Sequence, residues 1–151
     1  MTDKDDGLKL DRQLCFAVYS AGHAFNRVYK PLLDPLGLTY PQYLVMLVLW
    51  ERDDVPVKII GERLHLDSGT LTPLLKRLET QGLVMRERDP GDERQVRIRL
   101  TPEGQALREP ARAVPAAVGA ATGFAGEGMR ELKAQILALR DRLIAASGDG
   151  D

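Results

Sequence analysis

A chain of 151 residues with 44% apolar composition holds enough material for one globular domain, and its formal net charge of −1 separates it from proteins that grip nucleic acid by bulk positive charge. Its single cysteine excludes an internal disulfide framework, leaving a lone thiol that is either packing or a redox site. No apolar run is long enough to cross a bilayer, and the acidic start MTDKDDG lacks the regions of a secretory signal, so a cytoplasmic protein with no membrane partner is expected.

After the acidic leader, an amphipathic pattern predicts one helix from about Asp11 to Leu33, ending before DPLG, where Pro35 and Gly37 stop it. Thr39 is placed to cap the next helix, with Tyr40 and Pro41 in its first turn. The body of that helix, YLVMLVLW, is nearly all apolar and is expected to be buried on all sides. Pro56 ends the connection, and KIIGERLHL reads as a short helix.

In DSGTLTPLLKRLETQG, Leu71, Leu74, Leu75 and Leu78 recur at helical spacing and form a core-facing stripe. Gly69, Pro73, Lys76, Arg77 and Thr80 lie opposite, flanked by Thr70 and Thr72. Pro73 is expected among the early helix positions whose N–H groups have no internal partner, and Gly82 is placed to terminate the helix. The period then changes. LVMRER, DPGD and ERQVRIRL predict a two-stranded hairpin, with Pro90 presetting φ and Gly91 accepting a positive φ in the turn. Thr101 and Pro102 read as the cap and first position of another helix. An Ala-rich stretch broken by Pro110, Pro115, Gly119, Gly123, Gly126 and Gly128 leads to a final amphipathic helix, MRELKAQILALRDRLIAA. Its stripe of Leu132, Ile136, Leu139 and Leu143 needs a partner, and a subunit interface would supply one. The tail SGDGD is expected to be disordered.

Two short helices followed by a charged hairpin predict a winged helix-turn-helix, and thus a mainly α fold with a small β-hairpin. From Val57 to Arg99 there are nine Lys or Arg against seven Asp or Glu, so positive charge is concentrated there despite the net balance. The second helix would enter the major groove, where Ser68, Gly69, Thr70 and Thr72 permit close approach and Lys76 and Arg77 supply phosphate or guanine contacts. Arg86 on the first strand is grouped with these DNA contacts. Taken alone, a charged hairpin is ordinarily a solvated one. The helix pair before it is what favours a DNA reader.

Cys15 lies near the start of its helix, where the dipole favours an anion. Offsets of 4 and 14 residues return to within about 40° of the starting direction, so Tyr19 and Tyr29 share its stripe. Tyr19 can approach the sulfur directly. Tyr29 stands roughly 21 Å further along the helix, and only an antiparallel second copy would bring it back. That geometry suggests a homodimer.

The segment LDRQLCFAVYSA, continuing through NRVYKPLLDPLGLTYPQYLVMLVLWE, resembles the organic-hydroperoxide-resistance repressors of the MarR family, and the resemblance extends to about residue 104. It implies a sensor role for Cys15, with Tyr19, Tyr29 and Tyr40 as hydroxyl partners of its thiolate, some across the subunit boundary. With no second cysteine, the chain is similar to the one-cysteine branch. The wing resembles the family pattern D-x-R followed by an alternating strand and LTPEG, placing Asp92 and Arg94 in matching positions, with Arg94 as the minor-groove reader. One domain over residues 1–151 is implied, with a DNA-reading part at about 55–100 and a dimerisation part at about 8–35 and 101–147, formed by the N- and C-terminal helices. The Gly22-His23 pair and the broken stretch 110–128 depart from the family pattern.

The expected function is a peroxide-sensing transcriptional repressor that binds a pseudo-palindromic operator when reduced and releases it when Cys15 is oxidised. An organic hydroperoxide and a small cellular thiol are the expected signal chemistry, and neighbours such as Leu14, Phe16, Val45 and Met46 would favour apolar peroxides. Three rivals stand beside it. One is a MarR-type repressor released by a small phenolic or apolar effector, with Cys15 inert. Another is a thiol peroxidase, disfavoured because His23 and His65 are far apart, no resolving cysteine exists, and no metal-ligand cluster, phosphate loop or cofactor motif appears. The third is a protein-binding adaptor that has lost DNA affinity.

Overall fold

The computed structural model describes residues 4–148, so most of the tail expected to be disordered lies outside it. The chain divides into two compact units, Met1–Val114 and Pro115–Asp151. The first holds two short 3-10 turns (Asp6–Leu8 and Leu10–Arg12), α1 (Leu14–Leu33), a third 3-10 turn (Asp34–Leu36), α2 (Tyr40–Glu51), β1 (Val55–Pro56), α3 (Val57–Leu64), α4 (Ser68–Thr80), β2 (Val84–Arg88), β3 (Val96–Leu100), α5 (Pro102–Ala106) and α6 (Arg108–Ala111). Then α7 (Ala113–Thr122) begins at its end and continues into the second unit, which carries α8 (Gly126–Ser147). This is the mainly α winged helix-turn-helix expected. Among the described residues no single helix is long and apolar enough to cross a membrane.

The first helix starts later than its apolar pattern suggests. Gln13 is extended, and its side-chain amide donates to the Gly7 and Lys9 carbonyls at 2.8 and 3.0 Å, pinning a bend before Leu14. Asp6 braces the same bend through Lys9 (3.1 Å) and Arg12 (2.8 Å). Helix α2 begins where expected, with a reciprocal cap: the Gln42 N–H donates to Thr39 Oγ1, and the Thr39 N–H donates to Gln42 Oε1. Its body supplies Tyr43, Val45, Met46, Val48 and Leu49 to the core. It is not buried on every side, because Leu47 is exposed.

The sheet has three strands rather than two, in the order β1-β3-β2, all antiparallel. Strand β1 pairs Val55 with Ile98 and Pro56 with Arg97. Two residues are too few to show an alternating pattern, and a proline is tolerated at a sheet edge because its missing donor is not needed there.

Helix α4 buries Leu71, Leu74, Leu75 and Leu78, as their spacing requires. Asp67 caps it, accepting from the Thr70 N–H at 2.8 Å, and these bonds hold its carboxyl below the usual carboxylate range. Pro73, however, is the sixth helical residue and not in the first turn, so it removes the bond that would reach the Gly69 carbonyl. The leucine stripe keeps the helix intact across this gap. Gly82, at φ 77°, ends it: its N–H donates to the Glu79 carbonyl and that of Leu83 to Leu78, which closes a Schellman motif.

The wing turn closes by a different device from the one its glycine suggested. Gly91 is absent from the positive-φ residues, and Asp89 folds its carboxylate onto the Gly91 N–H at 2.8 Å. Beyond β3, Thr101 caps α5 by accepting from the Gly104 N–H and donates to the Gly82 carbonyl at 2.6 Å. Trp50 donates its indole N–H to the Gly104 carbonyl at 2.9 Å, tying the end of α2 to the wing's exit.

Candidate functional site

Two groups of chemistry-bearing residues stand out, one on α1 and α2 and one on α4 and the wing. Cys15 is the second residue of α1, free and exposed. No side chain caps this helix, so its first-turn N–H groups face outward with their partial positive charge. Around it Leu14, Phe16, Val18 and Tyr19 are all exposed. Val45 and Met46, expected to line the thiol's surroundings, are instead fully buried core residues of α2. An all-apolar helix packs most of its faces inward, so they cannot shape an exposed thiol's surroundings.

The four tyrosines separate into two sets. Tyr19 sits edge-on to His23, with ring centroids 4.4 Å apart. Among the described residues, no tyrosine hydroxyl of the same chain hydrogen-bonds the Cys15 thiol. Tyr29 and Tyr40 come together at 4.7 Å, with Tyr43 at 5.8 Å from Tyr29 and 6.4 Å from Tyr40. Tyr43 was missed in the sequence. The signal was available, because it lies three residues after Tyr40 and thus on the same face.

Tyr29 and Tyr40 line an open cavity of about 270 Å³ with Asn26, Leu33, Thr39 and Pro41. Burial, reinforced by Tyr40 and Tyr43, pushes the Tyr29 phenol up to about 12. Burial also raises Tyr40, and burial together with Tyr40 raises Tyr43. Each hydroxyl therefore keeps its proton near neutrality and can donate to an anion.

On the reading side, Ser68, Gly69, Thr70, Lys76 and Arg77 are exposed along α4, while Thr72 is half-buried. Lys76 and Arg77 make no ion pair among the described residues. Asp92 accepts from both the backbone N–H (3.1 Å) and Nε (3.4 Å) of Arg94, whose side chain is 93% exposed at the wing tip. Arg86 differs from the rest: it shares the inner side of β2 with Val84, half-buried, and its Nε has no partner among the described residues. The base of the wing is locked by Arg97, which was not anticipated. It donates to Asp54 Oδ1 at 2.8 Å, to the Asp54 carbonyl at 2.7 Å and to Asp89 Oδ2 at 3.2 Å. One guanidinium thus joins the approach to β1 with the wing turn.

Residues 27–109 match the family model described as transcriptional regulator SarA/Rot. The chain is 54% identical over 147 residues to the HTH-type transcriptional regulator TtmR of Methylorubrum extorquens, an alignment covering 97% of this chain and 75% of that protein. It is 47% identical over 143 residues to the organic hydroperoxide resistance transcriptional regulator of Bacillus subtilis, with 95% and 97% covered. The chain belongs to the MarR/SarA family of transcriptional regulators. Within that family it is similar in structure to reduced AbfR bound to DNA, at 38% identity and a TM-score of 0.75 over 93% of this chain and 98% of AbfR. Overoxidised AbfR bound to DNA gives 38% identity and 0.76 over 94% and 100%. Membership makes the protein a regulator and not an enzyme, with α3 and α4 as its helix-turn-helix and β2 and β3 as its wing.

Proposed function

We propose that this MarR-type regulator is a homodimeric, thiol-based repressor that holds a pseudo-palindromic operator when reduced and releases it when Cys15 is oxidised by an organic hydroperoxide. The carrying observation is the separation of two complementary groups on α1. An exposed thiol stands at its start, and a cluster of proton-bearing tyrosines stands at its other end. Fourteen helical residues hold Cys15 and Tyr29 roughly 21 Å apart within one chain. An antiparallel second copy of α1 would close that gap, and Leu14, Val18 and Phe25, exposed on one side of the helix, give such a copy an apolar face to cover. The similarity to the Bacillus regulator and to AbfR solved on DNA in the reduced state supports the same reading, while overoxidised AbfR, also solved on DNA, fits a switch that needs a bulkier change at the cysteine than added oxygen.

In the proposed chemistry, the Cys15 thiolate attacks the distal oxygen of the peroxide, whose O–O bond breaks to release an alcohol after protonation. The resulting sulfenic acid then condenses with a small cellular thiol, forming a mixed disulfide and water. Releasing an operator a hundredfold requires about 2.7 kcal/mol. Orphaning one or two tyrosine hydroxyls costs about 1–3 kcal/mol each, so a bulky mixed disulfide that displaces them suffices where a single added oxygen would remain hydrogen-bonded. On α4, Ser68, Gly69, Thr70 and Thr72 approach the major groove with Lys76 and Arg77, and Asp92 aims Arg94 at the minor groove. The proposed setting is the cytoplasm, with no cofactor.

The test is operator release by a Cys15→Ser variant treated with cumene hydroperoxide. The variant should bind the operator and keep it, whereas release equal to wild type would remove Cys15 from the mechanism. The tyrosine-lined cavity favours one rival, a regulator released by a small phenol. That rival requires phenol-dependent release that survives Cys15→Ser together with indifference to peroxide.

A further inference from the structure

Among the described residues Gln42 is the one buried polar side chain of the core, 4% exposed in an otherwise apolar stretch of α2. Capping accounts for only its oxygen, which accepts from the Thr39 N–H at 3.0 Å. Its amide nitrogen donates to Gln81 Oε1 at 3.0 Å, and Gln81 Nε2 donates to the Gly37 carbonyl at 2.8 Å. The direction of this chain of bonds is fixed at both ends, because Thr39 offers an N–H and Gly37 a carbonyl. Neither amide can flip without losing a bond. The bridge spans 39 residues and joins two functional regions. Gly37 and Thr39 form the turn leading into Tyr40 and the tyrosine cavity, and Gln81 is the C-cap of α4.

We propose that Gln42 and Gln81 are positioning residues that transmit movement at the tyrosine cavity to the DNA-reading helix. This rests on the sensor function proposed above. When Tyr29 and Tyr40 are displaced, the 37–39 turn moves with Tyr40, and the two amides carry the C-terminal end of α4 along. Apolar packing could hold α4 against α2 in several nearby positions. A closed set of directional bonds permits one, so the turn and the helix end shift together. The Gln81 side chain bonds neither the thiol nor Lys76 or Arg77, its link to Arg77 being only the helix-end bond from its backbone N–H to the Arg77 carbonyl, and it is exposed enough for substitution to leave the fold standing.

The experiment compares operator affinity of wild type, Gln81→Ala and Gln81→Glu, each reduced and after cumene hydroperoxide with a small thiol, with urea unfolding as a control for folding. Gln81→Glu can still accept from Gln42 but cannot donate to Gly37. Reduced Gln81→Ala should bind within about threefold of wild type, while its loss of affinity on oxidation shrinks by roughly three- to tenfold, the factor set by one or two net hydrogen bonds. Gln81→Glu should fall between. A merely structural bridge would lower reduced and oxidised affinities by the same factor, and that result overturns the proposal. If wild type itself ignores hydroperoxide, the sensor reading fails and takes this one with it. If wild type responds and Gln81→Ala responds equally, the bridge alone is refuted.

Discussion

Single residues carry the chemistry, and the tyrosines are the clearest case. Tyr29 keeps its proton to about pH 12 because burial and its two phenolic neighbours oppose a phenolate. A group whose pKa is raised on folding contributes stability that is complete below the unfolded value, near 10, and is lost as pH rises through the folded value. Ultraviolet titration should therefore show a phenol ionising near pH 12, with stability falling between pH 10 and 12; the Tyr29→Phe variant should lose that late step. Arg94 makes a different kind of prediction. Its exposed guanidinium is aimed by Asp92, so Arg94→Ala should weaken operator binding roughly tenfold or more, measured by fluorescence anisotropy, without changing thermal stability. Arg94 could be singled out because the Asp92–Arg94 spacing resembles a family pattern, and the structure adds their contact at 3.4 Å. Arg97 could not, since its partners Asp54 and Asp89 lie far apart in sequence and no local spacing links them.

At the scale of elements, a few close approaches hold the reading head together. A side chain on Gly104 would collide with the backbone carbonyl of Leu83, the residue just before β2, and neither that backbone nor helix α5 can yield easily. Gly104→Ala should cost about 3 kcal/mol in urea unfolding, and a loss below half a kcal/mol would show that this junction is soft. Thr101→Ala removes both the cap of α5 and the bond to the Gly82 carbonyl, for about 1–2 kcal/mol by the same measurement. The helices, their caps at Thr39 and Thr101 and the stop at Gly82 were readable because each is written in adjacent residues. The start of α1 was not: the bend is set by Gln13 reaching back to Gly7 and Lys9, which the helical pattern gives no sign of. Strand β1 escaped for a similar reason, since two residues become a strand only beside β3.

For the whole molecule, the small net charge confines electrostatic grip to the helix-turn-helix and wing, so few phosphates should be neutralised. Lys76→Ala should weaken binding to every DNA sequence alike and reduce the salt dependence by about one counterion. In the proposed dimer the two reading heads stand about one DNA turn, roughly 34 Å, apart, which sets the operator's half-site spacing. The site of the proposed peroxide response was only partly readable in the sequence. Cysteine and tyrosines could be picked out by type and spacing, but within one chain Cys15 has no hydrogen bond to a phenol among the described residues, and the bridge through Gln42 and Gln81 depends on a contact that no periodicity announces. The most direct test titrates a labelled operator with fully reduced protein and with protein treated with cumene hydroperoxide and a small thiol, while mass spectrometry records the species on Cys15. The expected result is loss of operator binding in proportion to the fraction of Cys15 carrying the mixed disulfide, restored by reductant. Full modification of Cys15 with undiminished binding would contradict it.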